Sequence, residues 1–111
     1  MAQAVFIQEG ASIDYTPAAD VTAGEVVVQG DLVDVAKQPI AANHLGALAV
    51  QGVFDFAKAT GGGTALAAGA TVYWDDTANV ATATAAGNKL LGKVVKAAGD
   101  DDALVRIRLS Q

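Results

Sequence analysis

The chain has 111 residues and a formal net charge of −5, with 7 Lys and Arg against 12 Asp and Glu. That length suits a single hydrophobic core, and so few cations in an acidic chain argue against a nucleic-acid binder, which needs clustered Lys and Arg. With no Cys and one His, disulfides and thiolate chemistry are excluded, and a stand-alone enzyme is disfavoured.

The apolar fraction is 52% but the aromatic fraction only 5%, because Ala supplies 25 residues and Val 14. The opening Met1–Gly10 has no basic segment followed by an apolar run, so a signal peptide is not expected. No stretch approaches the ~18 apolar residues of a membrane span. The expectation is a soluble product made in a cytoplasm. Val5-Phe6-Ile7 is apolar on both faces just after the start, which suits an arm buried under a neighbouring chain. A central strand covered on both faces would show the same pattern. Ile13 and Tyr15 alternate with Ser12, Asp14 and Thr16, a strand period. A turn at Ala23-Gly24 leads into the β-branched run Val26-Val27-Val28, then to the strand Leu32–Ala36. Leu48, Val50, Phe54 and Phe56 share one face if a strand continues through Gly52, which then marks a bulge or bend.

Thr60-Gly61-Gly62-Gly63-Thr64 reads as a mobile surface loop that a partner could order. Thr64 is placed to cap one helical turn over Ala65–Ala68, closed by Gly69. Tyr73 and Trp74 are consecutive, so on a strand they face opposite sides, and one of them is exposed or covered by something else. Val105, Ile107 and Leu109 alternate with Leu104, Arg106 and Arg108, which turns both arginines to solvent or a partner. Residues 23–27 also echo residues 68–72 in residue type, as two similar halves would. The fold class expected is all-β, a small barrel or sandwich of seven to nine short strands with at most one short helix. Residues 1–10 read as an arm or first strand and residues 11–111 as a single β domain.

The chemical motifs are weak. Gly87–Val94 nearly spells a phosphate-binding loop, but Val94 stands where a hydroxyl must hold Mg²⁺, so the segment reads as turn and strand. The triple glycine offers amides to an anion only in principle. His44 is alone, without further metal ligands or a nucleophile in context. Neither Asp75-Asp76 nor Asp100-Asp101-Asp102 has the spaced ligands of a calcium loop, and both read as solvated turns. No catalytic residue, metal site or cofactor is expected.

Taken together, the segments Phe6–Gly10, Val26–Ala36, Gly52–Thr60, Ala67–Asp75, Ala85–Gly92 and Ala103–Leu109 resemble bacteriophage capsid cement, or decoration, proteins. The resemblance covers nearly the whole chain through the order and spacing of its pieces. It implies a non-enzymatic protein on the outside of a head made of HK97-type major capsid protein, as a homotrimer that reinforces the shell, with no nucleic-acid or membrane partner. It fixes no contact residues. The candidate capsid or subunit interface comes from the residues themselves: Val5, Phe6, Ile7, the loop Thr60, Gly61, Gly62, Gly63, Thr64, and Trp74. A head fibre, or a small ligand-binding β-barrel, are the other readings.

Overall fold

A computed structural model describes residues 3–5, 7 and 10–110. Among the described residues nine strands run in chain order: β1 (Ser12–Tyr15), β2 (Val26–Gln29), β3 (Leu32–Val35), β4 (Gly46–Ala49), β5 (Gly52–Ala57), β6 (Thr71–Asp75), β7 (Val80–Thr82), β8 (Lys89–Lys96) and β9 (Leu104–Leu109). They form a four-stranded sheet, β1-β4-β3-β2, and a five-stranded sheet, β5-β9-β8-β6-β7. Every strand pairing is antiparallel. The protein is an all-β sandwich, without helix among the described residues.

Period-two alternation builds the core. In β9, Val105, Ile107 and Leu109 are buried while Leu104, Arg106 and Arg108 are exposed. In β6, Val72 and Trp74 turn inward and Tyr73 outward. These side chains meet Phe56, Leu91 and Val94 from their own sheet and Val33 and Val35 from the other. A smaller cluster, Val21, Ala36, Ile40 and Leu48, lies on the opposite face of the four-stranded sheet, with Ile13, Tyr15 and Val27 half-buried against it.

Two local expectations change. β4 and β5 are not one strand: the chain leaves the first sheet after Ala49 and enters the second at Gly52. Gly52 has φ +129°, backbone that glycine adopts without strain, and the bend breaks the common face of Leu48 and Phe54. The helical turn after Thr64 does not form. Leu66 instead exchanges two backbone hydrogen bonds of 2.9 Å with Ala98 and is buried. An isolated turn has few bonds of its own, so the long-range bridge wins.

The echo between residues 23–27 and 68–72 is structural. The Gly24 amide donates to the Ala36 carbonyl and the Ala36 amide to the Glu25 carbonyl. The Gly69 amide donates to Val94 and the Val94 amide to Ala70 in the same pattern. Both glycines have positive φ, +86° and +85°, and each lies three residues after a bridge, Val21↔Ile40 and Leu66↔Ala98. The duplication extends to topology: β1-β4-β3-β2 and β5-β9-β8-β6 are one order used twice, with β7 added at the edge of the second.

Matching positions follow from the registers. Val26 and Val35 pair as Thr71 and Lys93 do, and Val28 and Val33 as Tyr73 and Leu90 do. Ala49 corresponds to Arg108, and Ser12 to Val53.

Candidate interaction surfaces

The sequence-derived interface residues are dispersed. Val5 and Ile7 are 82% and 81% exposed, large apolar side chains in water, and neither belongs to a strand. Phe6 lies outside the described residues. Trp74 is packed inside a single copy instead of on a surface, 3% exposed. Its ring centroid is 6.0 Å from that of Phe56, and its indole N–H donates to Asp76 Oδ1 at 3.2 Å. The cause is the pleat: the β6 face that holds Val72 also holds Trp74, so Tyr73 takes the outward position.

The Thr60–Thr64 loop is pinned at both ends. Lys58 is buried, and its Nζ donates to the Ala59 carbonyl at 2.7 Å, Thr64 Oγ1 at 3.2 Å and the Asp100 carbonyl at 3.3 Å. A buried ammonium needs such partners. Asp100 Oδ1 accepts from the amides of Thr64 and Ala65 at 3.1 and 2.8 Å, and the Gly61 amide donates to the Asp100 carbonyl at 3.0 Å. The first aspartate of the acidic run is therefore a clamp. The tip, Gly62 and Gly63, stays exposed.

A surface that residue-by-residue reading missed lies on the outer face of the five-stranded sheet. Register places Lys93 opposite Arg108 and Lys96 opposite Arg106. Arg106 is met by Asp55 across β5, with N···O of 3.0 Å, and the guanidinium hydrogen bond holds the Asp55 carboxyl below its ordinary pKa. Lys93 Nζ donates to Thr71 Oγ1. Neither Lys93 nor Arg108 forms an ion pair among the described residues. Val53, Leu90, Val95 and Leu104 of the same sheet are exposed. The available signal was the outward pair Arg106 and Arg108, but β8 completes the patch only through pairing.

Other polar features lie elsewhere. Lys89 and Asp31 form an ion pair at 2.7 Å that ties the second sheet to the β2–β3 turn. The Lys89 hydrogen bond lowers the Asp31 pKa. Asp34 is fully buried with neither carboxyl oxygen hydrogen-bonded, and burial raises its pKa to about 6. His44 lies on a cavity of about 520 Å³ whose lining includes Lys37, Pro39, Leu45 and Ala47 but no Phe, Tyr or Trp. Among the described residues, no group of three or more His, Asp or Glu is placed to hold a metal ion.

These features define an all-β module that offers surfaces: the exposed apolar side chains Val5 and Ile7, a pinned glycine loop and a basic sheet face. A family model of phage cement proteins matches residues 7–109. The chain belongs to that family, which makes it a structural protein of the phage particle that binds the capsid. No curated protein and no solved structure matches it.

Proposed function

We propose that this chain binds the exterior of a head built from an HK97-type major capsid protein, as a homotrimer, and stabilises that shell without catalysing a reaction. It is synthesised in the bacterial host cytoplasm and adds to the outer surface of the head. Residues 1–10 act as an arm and residues 11–111 as the β domain that carries it. Membership of the cement family over residues 7–109 carries the reading. The physical form supports it: a clamp needs contact area and rigidity, and a stable interface buries about 1,600 Å² in total. Three linked copies multiply individually weak contacts.

The test is decoration of purified heads that lack the protein. Added protein should bind to saturation at a fixed copy number, a density map should place it outside the shell, and decorated heads should resist heat or chelator longer than bare ones. Heads that take up no protein, or that gain no resistance when saturated, would sink the reading.

A further inference from the structure

The two halves of the chain are stacked head to tail. The face of the first sheet with Val33 and Val35 packs on the second-sheet face with Phe56, Val72 and Ile107. By register, those three residues correspond to Tyr15, Val27 and Leu48 of the first half. Different faces of the two halves therefore meet, a heterologous contact, and such a contact leaves one unmatched face at each end. One free end is the outer face of the five-stranded sheet, where the buried pair Val35 and Ala49 of the first half is replaced by Lys93 and Arg108. The other is the far side of the first half, where Val21 and Ile40 already cover Leu48 and Ala36 and only Ile13, Tyr15 and Val27 at the margin are half-buried.

We propose that these two ends meet between copies: the basic outer face of one molecule seats on the Ile13–Tyr15–Val27 side of a second copy. The charges are complementary. The outer face sets Lys93, Lys96, Arg106 and Arg108 against Asp55, while Asp75 on that side turns its carboxylate to the amides of Thr77 and Ala78. Of the first half's carboxylates, Asp14 alternates to the other face of β1 from Ile13 and Tyr15, Asp31 is paired with Lys89 and Asp34 is buried, which leaves Asp20 and Glu25 for this side. Asp20 and Glu25 flank a groove of about 390 Å³ lined also by Tyr15 and Val27.

The isolated sheet also sets cation opposite cation, with Asp55 beside one of the two pairs. Like charges directly opposite on paired strands are destabilising, and the face has two such pairs. Val53 and Leu104 are each 57% exposed on the same sheet. An acidic, half-apolar partner relieves both, whereas pairing two basic faces would set cation against cation. A heterologous contact of this kind forms a ring when its rotation closes. The inference rests on the trimer in the function proposed above and not on the head.

Sedimentation of the full chain tests it, with Arg108→Glu and Glu25→Lys as reversals on the two sides. Wild type should self-associate at low salt and dissociate as salt rises. Each reversal should weaken association at least about tenfold, as reversing a close charge pair does, and mixing the two variants should restore it. Arg108→Glu should also melt above wild type, because it sets a carboxylate opposite Lys93, so its loss of association is not unfolding. Wild type that stays monomeric at roughly 1 mM overturns the contact; so do reversals without effect, or a mixture that stays apart. Heads decorated by a protein that remains monomeric would defeat this contact and spare head binding. Self-association without decoration would do the reverse.

Discussion

At Asp34 a carboxyl group is enclosed on the face of β3 whose cross-strand partner is Val27, and neither oxygen finds a donor. The side chains clustered on that face, Val21, Ala36, Ile40 and Leu48, are apolar, and Tyr15 is the titratable group packed against them. Burial of the charged form is the cost, so the folded pKa rises from 3.8 to about 6. The direction of the pH effect follows from proton counting. Between pH 4 and 6 the folded state holds a proton that the unfolded state has lost, so stability falls as pH rises through that window. A shift of this size corresponds to about 3 kcal/mol. Asp31 and Asp55, with lowered pKa values, act in the opposite sense, but at the more acidic end. Urea unfolding at pH 4.5 and 7 should find the protein more stable at the lower value, and Asp34→Asn should flatten the difference while raising stability at pH 7. Equal stability of the wild type at the two pH values would show that the carboxyl is solvated or paired.

The β8–β9 pairing depends on one missing side chain. A Cβ at Gly92 would lie 2.0 Å from the Arg108 carbonyl oxygen and 3.0 Å from the Ser110 amide nitrogen, backbone atoms that move only if the strands part. Gly92→Ala should cost about 3 kcal/mol, measured as a drop in melting temperature, while Gly62→Ala, with nothing within 4 Å of its Cβ, should cost little. A Gly92→Ala variant as stable as wild type would mean that β8 and β9 are not held at this separation. Elements of this kind differ in how plainly the chain announces them. The alternation from Leu104 to Leu109 states a strand and its buried face without help from the rest of the fold. Gly69 marked a turn correctly, but the helix before it was a local expectation that a bridge to Ala98 overrode. The duplication was visible only at its two glycine turns, because the second hairpin carries β7 between its strands and sets Thr71 and Lys93 where the first has Val26 and Val35. Residue type follows burial, and the two copies of the unit are buried differently.

For the whole molecule, charge separates where composition showed only an acidic average. Residues 10–50 hold five carboxylates and one cation, whereas Lys93, Lys96, Arg106 and Arg108 share one side of the second sheet. Those four positions are spread over sixteen residues of sequence and become a patch only through strand register, so residue order alone could not reveal it. Trp74 shows the converse: being large and next to Tyr73 made it a surface candidate, and the pleat turned it inward. The expectation of an arm rests on a local signal. Val5 and Ile7 place large apolar surface in water, where each isolated side chain forgoes about 1.5–3 kcal/mol of burial. Among the described residues, removing residues 1–8 takes none of the strands, which begin at Ser12, and none of the buried core residues of the two clusters. The shortened chain should therefore unfold within about 0.5 kcal/mol of the full one. Its occupancy on heads should nevertheless fall, because the apolar area that the arm offers a neighbour is gone. Titrating both forms onto bare heads, with unfolding curves run in parallel, separates the outcomes. Unchanged occupancy would remove the arm from the interface, and a large loss of stability would show that residues 1–8 belong to the fold of the single copy.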